Sequence, residues 1–185
     1  MTTRTMNQND KTIWSDEDGV IAVYELHAYK TDSNGISLFT TPNVHYFMQL
    51  DKDERIIQAY KLLQQQYHLP IQVLTNLTDI YPLYEEHQED KIQWTENAMP
   101  FLDMTSQFHC IHVPKYQFAN KTLGRALKKT DILISDYNND LIPWENAGGT
   151  GVKYLNGINS EDSFQGKHIQ PDWTSEQITE YLLSL

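Results

Sequence analysis

Five short apolar runs punctuate the chain, at residues 12–15 (TIWS), 71–75 (IQVLT), 108–113 (FHCIHV), 131–135 (DILIS) and 151–155 (GVKYL). Each is bounded by polar or turn residues and is too short for a helix, which marks it as a buried strand. Helical patterns fall between them. Residues 51–68 place Ile56, Tyr60, Leu63 and Tyr67 at helical spacing behind Asp51 and Glu54, and Ile57 widens the apolar stripe. Helices are also predicted near 84–98, around Trp94 and Ala98, and near 119–129, where Leu123, Ala126 and Leu127 share a face. A short helix is predicted to end at Gly148 and Gly149. A terminal helix is predicted to open with Thr174 and Gln177 at capping-box spacing and to dock through Ile178, Tyr181 and Leu182. Strands that alternate with helices pair in parallel and take helices on both faces. The predicted class is therefore α/β, a three-layer sandwich around a mostly parallel sheet.

Residues from about 25 to 50 break this rhythm, with a turn signal at Ser33-Asn34-Gly35, then Pro42 and the aromatics Phe39, Tyr46 and Phe47. Ligands of an open α/β sheet bind outside the carboxyl ends of its strands, so an insertion directly after the first strand is placed to act as a lid. The expected organisation of the 185 residues is a flexible N-terminus over 1–11 and one domain over 12–185, with a cap insertion across about 25–68.

Composition narrows the partners. Asp plus Glu number 25 against 14 Lys plus Arg, a net charge of −11, which repels nucleic acid polymers and anionic membranes. A single cysteine, Cys110, excludes an internal disulfide and the paired-cysteine zinc sites. No signal peptide or membrane anchor is expected from the polar start of the chain, and a cytoplasmic location follows as the expectation. The pattern specifies no oligomeric state.

The sharpest local feature is Ser15-Asp16-Glu17-Asp18-Gly19-Val20, two aspartates two residues apart where an apolar strand ends. An EF-hand loop opening at Asp16 would need Gly at its sixth position and Glu at its twelfth, where this chain has Ile21 and His27. Other polar residues fall at the ends of other predicted strands. Thr75 and Asn76 follow IQVL, Lys121 opens the helix after the FHCIHV strand and its loop, and Asp136 and Asp140 follow DILIS. Ends of parallel strands share one edge of the sheet, so these side chains converge on one volume. Carboxylates from two strand ends offer hard oxygen ligands for Mg²⁺, and a carboxylate beside such a metal can attack phosphorus. A second carboxylate two residues on can exchange a proton with the leaving group and then with water. A hydroxyl and an ammonium can hold the charge of the transferring phosphoryl group. The Gly148-Gly149-Thr150-Gly151-Val152-Lys153 run lacks the Gly-Lys-Ser/Thr ending of a P-loop, and His109 and His112 fall on opposite faces of a strand.

These residues resemble the haloacid dehalogenase-like phosphohydrolase superfamily, whose first motif is a strand followed by Asp-x-Asp, here Asp16-Glu17-Asp18. The segments FTTPNVHYFMQLDKDERIIQAYKLL, HQEDKIQWTENAMPFL and DILISDYNNDLIPWENAGGTGVKYLNGIN resemble the bacterial and phage 5'-nucleotidase group related to 5'(3')-deoxyribonucleotidases. The resemblance spans roughly residues 12–170 and implies a Rossmann-like sandwich with a small cap. It implies Asp16 as nucleophile and metal ligand, and Asp18 as general acid/base whose backbone carbonyl also touches Mg²⁺. It further implies Thr75 and Asn76 at the phosphate, Lys121 as the third-motif lysine, and Asp136 supported by Asp140 as metal carboxylates. Phe39, Tyr46 and Phe47 of the cap are the residues it implies for stacking on a base. The fourth motif departs from the nucleotidase group, which has two adjacent Asp where this chain has Ser135-Asp136. A Mg²⁺-dependent phosphomonoesterase acting on nucleoside monophosphates is the expected function. The alternatives are a phosphatase for another small phosphate ester, and a catalytically reduced fold member that binds a nucleotide or protein partner.

Overall fold

The computed structural model describes residues 11–23, 33–77, 79, 83–159 and 164–185. Six strands form one sheet: β1 (Thr12–Asp16), β4 (Ile71–Asn76), β5 (Phe108–Ile111), β6 (Asp131–Ser135), β7 (Thr150–Tyr154) and β8 (Lys167–Ile169). Their order is β5-β4-β1-β6-β7-β8, and every neighbouring pair is parallel. The chain winds outward from β1 to β5, then returns to β6 on the other side of β1. A crevice opens at that reversal, above the ends of β1 and β6.

Alternation along the strands separates two apolar layers. Ile13, Val73, Ile132 and Ile134 face one way and pack with helices α1 (Glu54–Gln65) and α6 (Ser175–Ser184) and with Trp94 and Ala98 of α2 (Leu83–Ala98). Trp14, Leu74 and Leu133 face the other way, onto α4 (Lys115–Leu123) and α5 (Asn138–Asn146). The three-layer α/β sandwich read from the sequence is thus the observed fold. A one-turn helix, α3 (Met104–Gln107), leads into β5.

Several boundaries differ from the sequence reading. Asp53, rather than Asp51, caps α1 by accepting the Arg55 N–H, and Tyr67 lies beyond the helix and is exposed. The helix predicted over 119–129 runs instead from Lys115 to Leu123, because Gly124 adopts φ +64° and stops it with a left-handed cap. The terminal helix carries the predicted capping box of Thr174 and Gln177. β8 and α3 have no counterpart in the sequence reading.

The insertion after β1 is framed by a short antiparallel pair, β2 (Ala22–Val23) with β3 (Asp51–Lys52), and carries two 3-10 turns, Leu38–Thr40 and Phe47–Gln49. Helix α1, placed within the cap by the sequence reading, buries Ile56, Ile57, Ala59, Tyr60 and Leu63 against the sheet and belongs to the sandwich. The N-terminus expected to be flexible lies, but for Lys11, outside the described residues. No described helix is long and apolar enough to cross a membrane.

Candidate active site

Asp16 is the last residue of β1, and the register pairs Ser15 with Ile134, so Asp16 comes level with Ser135 at the end of β6. Ser135 donates from its hydroxyl to Asp16 Oδ2 at 3.2 Å and lies 3.3 Å from Asp140 Oδ2. Lys115, the first residue of α4, bridges the same two carboxylates, with Nζ 2.5 Å from Asp16 Oδ2 and 2.6 Å from Asp140 Oδ2. Asp16 Oδ1 accepts the Glu17 N–H at 2.9 Å. Burial raises the Asp16 pKa, Lys115 lowers it, and the negative charges of Asp140, Asp136 and Asp18 raise it further, so that the carboxyl is pushed up to about 7. Burial acts against the Lys115 ammonium, but Asp16 and Asp140 prevail and hold its pKa above the ordinary value.

Asp136 follows β6 directly. Its Oδ2 accepts from Asn156 at 2.8 Å and from Asn159 at 2.9 Å, and its backbone carbonyl accepts from the buried Lys153 at 2.5 Å. Burial raises the Asp136 pKa, while the two amide donors and the nearby lysines oppose the rise. Gly19 presses against this carboxylate. A Cβ there would lie 2.3 Å from Asp136 Oδ2, and the residue has φ +74°, so the glycine of Asp-x-Asp-Gly is required on both counts.

Asp18 turns toward α2. Lys91 Nζ lies 2.8 Å from both of its carboxylate oxygens, 2.9 Å from Glu17 Oε2 and 2.9 Å from Thr75 Oγ1. Thr95 donates to the other Glu17 oxygen at 2.9 Å. Lys91 and Glu17 are almost completely buried, whereas the Asp18 side chain keeps 34% of its exposure. Burial raises the Glu17 pKa, against the pull of Lys91.

Asp16, Asp18, Asn76, Lys115, Asp136 and Asp140 line one cavity of about 370 Å³, with Gly19, Tyr137, Ile158 and Asn159 completing its wall. The five acidic and amide residues expected at the strand ends thus share a cavity. Thr75 is buried just behind it, bonded to Lys91. Lys121 is the first correction: it sits exposed on α4, and Lys115 supplies the ammonium instead. Lys115 lies at the helix start, nearest the end of β5, whereas Lys121 is almost two turns further along.

The cap aromatics are the second correction. Tyr46 and Phe47 are buried, and with Phe39 they form an edge-to-face cluster with centroids 5.3–6.0 Å apart. None of the three lines the cavity of Asp16. Apolar rings of this size seat the insertion on α2 by packing on each other and on His87, 4.9 Å from Phe47, rather than standing open for a base. Phe47 also lies under Lys91, whose Nζ is 3.9 Å from its ring centre. A second anchor joins Asn43 and His45 to α2: both backbone N–H groups donate to Glu86, and His45 Nδ1 lies 2.8 Å from Asp90 Oδ1. One ligand atom each of His45, Glu86 and Asp90 fall within 4.8 Å of one another, a metal-capable grouping already occupied by these bonds.

Lys91, Lys115, Lys153, Asn156 and Asn159 were not singled out from the sequence as site residues. Lys91 carried a legible signal, since it shares a helical face with Trp94 and Ala98, where a lysine needs a buried partner.

No family model and no curated protein matches the sequence. The fold is shared with solved hydrolases of the haloacid dehalogenase-like superfamily. D,D-heptose 1,7-bisphosphate phosphatase from Burkholderia thailandensis superposes with a TM-score of 0.65 at 12% identity, covering 95% of this chain and 100% of its own. The B. bronchiseptica enzyme of the same name, solved with magnesium and phosphate, gives 0.60 at 16% identity, covering 94% and 98%. A HAD hydrolase of family IA from Entamoeba histolytica gives 0.61 at 14% identity, covering 94% and 99%.

Proposed function

We propose that the chain is a phosphomonoesterase that works through a phosphorylated Asp16 and acts on nucleoside monophosphates. The observation that carries the reading is Asp16 itself: a buried carboxylate at a strand end, facing a cavity, in contact with a buried lysine and surrounded by further carboxylates. Lys115 holds one Asp16 oxygen in place and offers positive charge to a phosphoryl group. Asp16 attacks phosphorus, the bond to the leaving oxygen breaks, and Asp18 gives that oxygen a proton. Water then attacks the phosphoaspartate, passing its proton to Asp18 and releasing phosphate and free Asp16. To act in both steps Asp18 must give up at least one of the two hydrogen bonds it accepts from Lys91 Nζ.

The donor set fits Mg²⁺, which prefers hard oxygens. Asp16, Asp136 and the backbone carbonyl of Asp18 would hold it, with Asp140 orienting Lys115, and the mutual repulsion of the buried carboxylates is what a divalent cation relieves. When bound, the cation supplies positive charge to the phosphoryl oxygens. The superposed phosphatases support phosphate-ester chemistry, and the nucleotide substrate rests on the resemblance of the sequence segments.

The test is phosphate release from ribo- and deoxyribonucleoside 5'- and 3'-monophosphates and from sugar phosphates, with Mg²⁺ or EDTA. Release is expected to need Mg²⁺, to vanish in Asp16→Asn, to fall about a hundredfold or more in Lys115→Ala and to be unchanged in Lys121→Ala. The lock of Lys91 on Asp18, with Ser135 in the fourth motif, favours the binding-only alternative, and a folded wild type silent across the panel would count against the nucleotidase and for another phosphate ester or that binding role.

A further inference from the structure

The cavity has a charged floor and an apolar lip. Among its described lining residues Tyr137 is the one aromatic, and Ile158 is the other large apolar side chain. Tyr137 is 47% exposed, although it is the residue directly after Asp136. Its position is set at several points. Its N–H donates to Ser135 Oγ at 3.1 Å, its carbonyl accepts the Asp140 N–H at 3.1 Å as α5 begins, and its hydroxyl accepts from Asn139 at 2.7 Å. Ser135 and Asp140 are the residues that also touch Asp16 and Lys115. The backbone of Tyr137 is therefore fixed by residues that also organise the floor, and its ring is tied by Asn139, which lowers the cost of ordering it when a flat group lies on it.

Resting on the phosphomonoesterase reading above, we infer that Tyr137, backed by Ile158, is the platform for the leaving group and sets the substrate class as phosphate esters of planar, ring-bearing alcohols such as nucleosides. A phosphate held near Asp16 and Lys115 puts its ester substituent at the lip. A cavity of about 370 Å³ is of the size that takes a small-molecule ligand, and the half-exposed Tyr137 ring forms part of its wall where that substituent comes to lie. The cap aromatics, Tyr46 and Phe47 buried and Phe39 packed on both, leave that role open among the described residues.

The experiment compares kcat/KM for adenosine 5'-monophosphate and glycerol 3-phosphate in wild type, Tyr137→Ala and Tyr137→Phe. The ratio of the two is expected to fall about tenfold in Tyr137→Ala, through KM for the nucleotide, and to be kept in Tyr137→Phe, as for a stacked base. Calorimetric binding of a non-hydrolysable phosphonate analogue of adenosine 5'-monophosphate with Mg²⁺, to wild type and to Tyr137→Ala, gives a readout free of turnover. A tenfold weaker affinity supports the platform even if wild type releases no phosphate, an outcome that would count against the hydrolytic reading alone. An unchanged ratio with unchanged affinity, or an analogue that binds neither protein, overturns the inference.

Discussion

Lys91 shows how much a single side chain can be asked to do. Its ammonium, removed from water, is balanced by Glu17 and Asp18 and capped by the Thr75 hydroxyl and the face of Phe47. Desolvation penalises a buried charge severely, and only close opposite charges offset it. Replacing Lys91 by Met strands the Glu17 carboxylate in the interior, while Asp18 can still turn toward water. We expect Lys91→Met to lose roughly 3–5 kcal/mol of stability in urea unfolding, and Lys91→Met/Glu17→Gln to recover part of it. Equal losses in the single and double variants would mean that the pair is not the seat of the energy. The same residue scale explains why Lys121 attracted attention and Lys115 did not. Chain order placed both after β5, and only the start of α4 decided which of them reaches Asp16.

At the scale of elements, the insertion is attached to α2 by two different kinds of contact. One is the buried aromatic cluster around Phe47 and His87, which is indifferent to salt and nearly so to pH. The other joins the exposed His45 to the buried Asp90, and hydrogen bonding and charge from Asp90 raise the His45 pKa above 6.5. A raised histidine pKa contributes stability that is complete below the unfolded value, near 6.5, and is lost as pH rises through the higher folded value. Thermal unfolding of wild type and His45→Gln at pH 5.5 and at pH 8.5 should therefore differ more at the acid end. A difference of the same size at both ends would exclude the ionic contribution. The cap was legible as an interruption of the strand and helix rhythm, but its aromatic residues were not. Phe39, Tyr46 and Phe47 look alike whether a ring stacks on a ligand or on its neighbour, and the neighbour proved to be each other.

Across the whole molecule, an acidic chain of net charge −11 concentrates several buried carboxylates at one edge of its sheet. Without a cation this arrangement works against folding. Asp16 has its pKa raised from 3.8 to about 7, so its contribution is complete below the unfolded value and is lost as pH rises through the folded one. In EDTA, wild type is expected to lose thermal stability between pH 5 and pH 8 relative to Asp16→Asn. Added Mg²⁺ should restore it in wild type at pH 8 by binding the native state and should do less for the variant. A melting temperature that ignores Mg²⁺ in both proteins would exclude this cavity as the cation site.

The succession of short apolar runs and amphipathic stretches determined the α/β sandwich, because period-two and period-3.6 burial are written locally in the residues. It also determined that Asp16, Asp18, Asn76, Asp136 and Asp140 meet, since parallel strands bring their carboxyl ends to a common edge whatever loops connect them. The tertiary structure alone decided which lysine faces Asp16, that Lys91 crosses from α2 to hold Asp18, and that Tyr137 rather than a cap aromatic stands at the mouth. Those outcomes depend on helix start points, side-chain reach and what else is buried nearby, quantities set by packing between segments distant in sequence and therefore absent from any local pattern.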